Sequence, residues 1–323
     1  MRLPTFGMGC SGLGNLYHRV EEATAIATVH RALELGVRYF DVAPHYGFGL
    51  AERRLGKALA GRPRGDLVVS TKVGRLLDST DQGGERHGFI DADPFEPVFD
   101  YGGEAILASH RQSLERLGLD RIDVLLTHDL GEATHGPDAG RHLTAFLDDG
   151  YEAMRTLKRA GEIGMIGVGV NEVGICERLM DEIELDVILL AGRYTLLEQG
   201  ALALLDRCAA EGVKVIVGGP FNSGLLVESQ GGQRHYNYGP APDEVLARAE
   251  ALARVCQAHS APLAAAALAF PAAHPAVVTV LPGLADPDQV TQVAAWRDAA
   301  LPSNLWRDLR EAGLVEPNAP TPA

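Results

Sequence analysis

The chain carries eight short apolar runs, and each is followed by a segment whose apolar residues recur at helical spacing. In order the runs are LPTFGMG, YFDVA, LVVSTKV, IDVLLTHD, MIGVGV, DVILLAG, VKVIVGG and VVTVLPG. They are continuously apolar rather than alternating, which is the pattern of strands buried on both faces. Strand–helix alternation predicts a parallel sheet covered by helices, an α/β fold. Eight such units fit a closed (β/α)8 TIM barrel of about 250 residues plus loops. An open doubly wound sheet is the competing arrangement. No linker rich in Ser, Pro or charge divides the 323 residues, so 1–323 is expected to be a single domain. The Pro-rich tail EPNAPTPA, residues 316–323, is expected to fray.

The spacing predicts helices over residues 20–35, 51–59, 142–160, 175–183, 201–211, 243–259 and 286–296, and another ending near Leu119. Gly36, Gly161 and Gly212 read as stops, and PLAAAALAF as one further helix. Polar stretches 75–103 and 222–242 read as loops. Gly7 to Gly12, GMGCSG, matches the dinucleotide-binding GxGxxG pattern to the letter. That fingerprint needs a full strand before it and a helix opening on its last glycine. Only six residues precede Gly7 and the next helix starts near Val20, so a chance match is favoured.

In a barrel of this kind the chemistry belongs at the C-terminal ends of the strands. Asp41 ends the second run, and Tyr46 follows it in the loop HYGFG. Lys72 stands at the end of the third run and His128 at the end of the fourth. Each alone could be a buried structural residue, but four at neighbouring strand ends form a coherent set. A phenol has a pKa near 10, and a cationic Lys beside it favours the phenolate. A carboxylate keeps the Lys charged and in place, and a His can orient a substrate oxygen. The set suits proton transfer at a C–OH or C=O while a hydride moves elsewhere. No side chain donates hydride, so a nicotinamide cofactor is implied.

A net charge of −14 argues against nucleic acid or an anionic membrane as partner. No window approaches the run of about 18 apolar residues that a membrane helix needs, and the N-terminus has no secretory h-region. Cys10, Cys176, Cys208 and Cys256 are scattered without metal spacing and read as reduced thiols of a cytoplasmic protein. A metal site is not expected, because His128 and Asp41 are too few ligands for a metal-dependent barrel hydrolase.

The stretches GVRYFDVAPHYGFGLAERRLGKAL, STKVG and SLERLGLDRIDVLLTHD resemble the aldo-keto reductase family over nearly the whole chain. The resemblance implies Tyr46 as general acid/base, Asp41 and Lys72 as the groups that tune it, and His128 as the residue that orients substrate. Asn171 matches the family position that holds the nicotinamide carboxamide. By the same resemblance Gly219, Phe221, Ser223, Gly283, Leu284, Gln289 and Gln292 are cofactor-binding candidates. Two departures stand out: Ala191 replaces a common Gln, and Gly218 replaces the Tyr that stacks on the nicotinamide. Phe221 could provide a compensating wall or simply pack.

Members preferring NADP carry Lys or Arg around the 2′-phosphate, where this chain has Gly283, Leu284, Asp286, Asp288 and Gln289. Two carboxylates and no cation suit a ribose hydroxyl, so NAD is expected rather than NADP. LLAGRYTLLEQ and VGGPFNSGLL are most similar to the branch of NAD-linked aldose 1-dehydrogenases, with pyridoxal 4-dehydrogenase nearby. The resemblance implies oxidation of the anomeric C1 hydroxyl of an aldose to the lactone. His45, Asp129, Arg193 and residues of the 75–103 loop are substrate-binding candidates, and the small-molecule substrate would be a sugar or a pyridoxal-like hemiacetal. An aldehyde or ketone reductase and a cofactor-binding regulatory subunit are the alternatives, and a homo-oligomer stays open.

Overall fold

A computed structural model of the protein describes residues 1–227, 235–236 and 239–323; the remainder of the predicted 222–242 loop lies outside the described residues. Each of the eight apolar runs contributes one strand to a single sheet. The strands are Met8–Gly9, Tyr39–Asp41, Val68–Val73, Ile122–His128, Ile163–Val170, Val187–Ala191, Lys214–Gly218 and Val277–Leu281. Neighbours in the chain are neighbours in the sheet, and all pair in parallel. Parallel bridges Phe6–Val280 and Gly9–Gly283 return the first strand to the last, so the sheet closes into the expected barrel. The first strand is much shorter than its apolar run, and it ends in a 3-10 turn, Ser11–Gly14. No helix opens on Gly12: the first begins at Glu22, as the rejected GxGxxG reading requires.

Two faces of the strands serve two cores. Phe40, Val69 and Leu125 pack outward with helix residues such as Val29, Leu55 and Ile106. Tyr39, Val68, Val124, Leu126, Met165, Val187, Leu189, Ile216 and Leu281 form a separate buried cluster, which fills the barrel. Side chains two apart on a strand share a face. Hence Asp41, two after Tyr39, points inward, as do Ser70 and Lys72 after Val68, and His128 after Leu126. The lower barrel is thereby apolar and the upper layer polar.

Most helices lie within one or two residues of their predicted bounds, for example Glu22–Glu34, Leu50–Leu59, Gly103–Leu117 and Asp243–Ala258. Four differences have physical causes. Residues 75–103 are not all loop, because Arg75–Ser79 and Phe95–Phe99 pair as an antiparallel hairpin lying over the mouth. The predicted helix over 142–160 is divided into Ala139–Ala145, a π turn at Phe146–Gly150 and Tyr151–Ala160. Asp149 in that turn accepts the Gly103 amide at 2.8 Å and so caps a neighbouring helix. A final helix, Asn304–Glu311, buries Leu305, Trp306 and Leu309 and was not foreseen. The tail over 316–323 does not fray. Gln199 Oε1 accepts the Glu316 amide at 2.7 Å, Arg310 donates to the Ala319 carbonyl and the Thr321 hydroxyl at 2.9 Å each, and Ala319 is buried. Among the described residues no helix is long and apolar enough to cross a membrane.

Candidate active site

The polar upper layer of strands two to four is one bonded unit. Lys72 Nζ donates to Asp41 Oδ2 at 2.8 Å, to the Val42 carbonyl at 2.9 Å and to Tyr46 Oη at 3.2 Å, so all three ammonium protons are engaged. Ser70 Oγ donates to the other Asp41 oxygen at 2.6 Å. The ammonium also sits 4.7 Å from the centre of the Tyr46 ring. His128 stands across the mouth with its ring nearly perpendicular to that of Tyr46, centroids 6.1 Å apart. Sequence reasoning therefore brought the four residues to one place.

Tyr46 comes from a loop rather than a strand, and its backbone is fixed by contact. A Cβ on Gly14 would lie 2.6 Å from the Tyr46 carbonyl carbon, and one on Gly47, at φ +64°, would lie 2.5 Å from the Gly14 oxygen. Only glycine allows the two loops to touch in this way. A Cβ on Gly169 would likewise press on Lys72 Cε at 3.2 Å. Arg54, buried, ties the first loop down by donating to the Leu13 and Val20 carbonyls and to Asn15 Oδ1.

Burial pushes the Tyr46 phenol above its ordinary value; Lys72 pulls it down and Asp41 adds to the rise. The lowering foreseen from Lys72 is thus present but outweighed by desolvation. Burial alone would lower the Lys72 ammonium, yet Asp41 and Tyr46 overcome this and raise it. His128 lies well below the usual imidazole range, first because it is buried and then because Arg75, Lys72 and His45 oppose its charge. His45 is lowered for the same reason, with Arg75, His87 and Lys72 contributing. Both imidazoles are neutral near pH 7.

Of the three residues expected around the substrate, two flank this unit. His45 is 6.1 Å from His128 and 5.3 Å from Phe89, centroid to centroid. Asp129 Oδ2 is 3.4 Å from His128 Nε2. Arg193 lies further round the mouth, donating to the Asn171 carbonyl at 2.7 Å. From the 75–103 stretch, expected only as a whole to shape the pocket, the structure brings in Arg75, which pairs with Asp129, and His87 and Phe89, which with Phe48 form a roof against His45; Phe48 was not foreseen. Arg86, over the Phe48 ring at 4.5 Å, holds that roof by donating to the Phe95 and Asp93 carbonyls.

The ends of strands five to eight and of strand one surround a cleft of about 590 Å3. Asn171, Gly219, Phe221, Ser223, Gly283, Leu284, Gln289 and Gln292 all line it, with Ser11, Gly12 and Trp296. No Lys or Arg is among its described lining residues. The helix Pro287–Arg297 starts at its edge, where Asp286 caps the Gln289 amide at 2.8 Å. Glycine where a ligand must approach closely, amide side chains and a helix N-terminus form a donor set that fits a dinucleotide.

The model of the aldo/keto reductase family matches residues 5–313. The chain is 37% identical to pyridoxal 4-dehydrogenase of Microbacterium luteolum over 98% of its length and 95% of that protein. It is 38% identical to D-threo-aldose 1-dehydrogenase of a Pseudomonas species over 100% of its length and 96% of that protein. Among solved structures it is similar to an aldo-keto reductase from Bacillus halodurans in its holo form, with a TM-score of 0.74, 26% identity and coverage of 96% and 92% of the two chains. The chain belongs to the aldo/keto reductase family.

It is accordingly an oxidoreductase of a family that uses nicotinamide cofactors. In the seventh strand Gly218 stands where the resemblance to the family implied a stacking Tyr. A Cβ on Gly218 would face Leu189 and Ala191 at 3.3 and 3.5 Å, so nothing aromatic projects there. Phe221 lines the cleft but also packs edge-to-face on Trp296, centroids 5.9 Å apart. Packing is therefore one role of Phe221.

Proposed function

We propose that the protein is an NAD-dependent dehydrogenase that oxidises the anomeric C1 hydroxyl of an aldose to the lactone. The observation that carries this reading is the ammonium of Lys72, bonded at once to Asp41 and to the Tyr46 hydroxyl. Tyr46, as phenolate, takes the proton of the C1 hydroxyl, and Lys72 stabilises the phenolate before that transfer. His128, neutral, donates to the reacting oxygen and fixes which hydroxyl faces Tyr46. The cofactor, when bound, accepts the hydride that leaves C1. Asn171, Gly219, Phe221, Ser223, Gly283, Leu284, Gln289 and Gln292 would hold it in the cleft they line. His45 offers a polar group to the sugar hydroxyls, Asp129 stands behind His128 Nε2 at 3.4 Å, and Arg193 donates to the carbonyl of Asn171.

NAD is the better fit because the described lining residues offer a 2′-phosphate no cation, and Asp286 and Asp288 stand at the start of the helix on the cleft's edge. A cytoplasmic location belongs to the same reading. The 38% identical relative acts on aldoses by name, and the 37% identical one on pyridoxal. Pyridoxal is therefore the second reading, and its cyclic hemiacetal carries an equivalent C–OH. The test is NADH formation by purified protein with NAD or NADP, a panel of free sugars and pyridoxal, with Tyr46→Phe as control. NAD-linked turnover on one sugar group, abolished in the variant, supports the aldose reading, and turnover on pyridoxal alone selects the second. Strong NADPH-dependent reduction of carbonyls with no sugar oxidation would sink both.

A further inference from the structure

Beside the Lys72–Tyr46 pair lies a second ion pair that proton transfer leaves without a role. Arg75 Nη2 donates to Asp129 Oδ2, the same oxygen that stands 3.4 Å from His128 Nε2. Arg75 is only 5% exposed, and its guanidinium lies 5.0 Å from the centre of the Phe99 ring. Asp129 sits in the left-handed region at φ +46°, a conformation uncommon outside glycine but one that Asp tolerates. Its amide donates to the Gly169 carbonyl at 3.0 Å, and the Tyr101 hydroxyl donates to the His128 carbonyl at 2.7 Å. The dipeptide His128–Asp129 is thus held from three directions.

The other ring nitrogen of His128, Nδ1, is buried with no hydrogen-bond partner. A proton there would be a buried donor without an acceptor, whereas Nε2 has the Asp129 carboxylate 3.4 Å away. Because burial, Arg75, Lys72 and His45 keep the imidazole neutral, it carries one proton, and its placement decides whether the ring can donate into the mouth. We propose that Asp129, clamped by Arg75, is a positioning residue that keeps the proton of His128 on Nε2 and the ring turned toward the Tyr46 hydroxyl. At 3.4 Å the contact is long for a hydrogen bond, so an Nε2–H held there is free to donate to a substrate oxygen without giving up a strong bond. The identity of that oxygen rests on the dehydrogenase reading; the tautomer does not.

The experiment reads the tautomer directly, by nitrogen–proton correlation spectra of the histidine rings in the full chain. The His128 signals are assigned by their loss in His128→Gln. The unmodified protein should show neutral His128 protonated on Nε2. In Asp129→Asn, whose amide can donate to Nε2, the signal should move toward the Nδ1-protonated form. Turnover should then fall about 10- to 100-fold in kcat with KM changed by no more than about twofold and dinucleotide binding unchanged. Arg75→Lys, which retains the pair, should keep most of kcat, and Arg75→Met serves in place of Asp129→Asn if that variant does not fold. An unaltered Nε2-protonated signal in Asp129→Asn and Arg75→Met would overturn the proposal. So would a loss confined to KM, which would make Asp129 a direct substrate contact. If the unmodified protein turns over nothing on the panel, the dehydrogenase reading fails while the spectra still decide the tautomer.

Discussion

Strands two to four end in side chains bonded to one another, whereas strands five to eight end in glycine, alanine and asparagine around an open cleft. In the first half of the mouth the charges are paired, and Lys72 and Asp41 are buried, only 2% and 6% exposed at their side chains. Such a pair adds little net stability, but removing one partner leaves a buried charge and is costly. Its worth is preorganisation, since charges fixed before the reaction need not reorganise during it. The second half offers space, backbone groups and a helix end. One half is built for chemistry and the other for holding a ligand.

If that division is right, Tyr46→Phe has the largest effect. It keeps the ring and deletes the proton acceptor, so kcat should fall by about 10²–10⁴ while dinucleotide binding, followed by fluorescence quenching, stays as it was. Weakened dinucleotide binding in this variant would break the division. Lys72→Met comes next. It should lower kcat and destabilise the fold by about 3–5 kcal/mol in urea unfolding, because Asp41 is left buried and unpaired. Pairing it with Asp41→Asn should recover part of that stability without restoring kcat. A Lys72→Met protein as stable as its parent would show that the pair is solvated.

The pH dependence follows from the phenol. Burial raises Tyr46, with Lys72 opposing and Asp41 assisting. Oxidation needs the phenolate, which is the minority form below that raised value. The kcat/KM for oxidation should therefore climb about tenfold per pH unit from neutrality into the alkaline range, and reduction, which needs the phenol, should be flat over the same range. An oxidation plateau already reached near neutrality would mean that Lys72 outweighs burial after all.

How much of this was legible depends on which interactions are local. Strand runs are continuous in sequence, and a side-chain period of two carries Asp41, Lys72 and His128 onto the same inner face as Tyr39, Val68 and Leu126. The cleft residues came from the resemblance to the family rather than from any spacing, and Gln289 and Gln292 lie on a helix several residues beyond the last strand. Arg75 was not singled out within its loop, because it meets Asp129 across 54 positions and sits in a polar stretch whose hairpin pairs by register rather than by pattern. The rise of the Tyr46 phenol was misjudged because desolvation depends on loops folded over it, and no spacing in the sequence reports them. The tail was misread for a similar reason. Its prolines suggest fraying, but Gln199 and Arg310 reach it from elsewhere.

The smallest expected effect is the sharpest probe of the second half. Asp286 cannot be changed cleanly, because it caps the helix Pro287–Arg297 and its loss costs about 1 kcal/mol. Asp288 is exposed in the first turn of that helix, where its only stabilising role is with the helix dipole, about 0.3–1 kcal/mol. Asp288→Lys would exchange a repelling charge for an attracting one beside the ribose of the adenosine. KM for NADP should fall about tenfold, which corresponds to about 1.4 kcal/mol, with kcat and the pH profile untouched. A change in kcat would mean that the two halves are coupled through the barrel. An unchanged KM with unchanged kcat would place the adenosine away from this helix, and the ligand half of the mouth would then have to be redrawn around Tyr17 and His18.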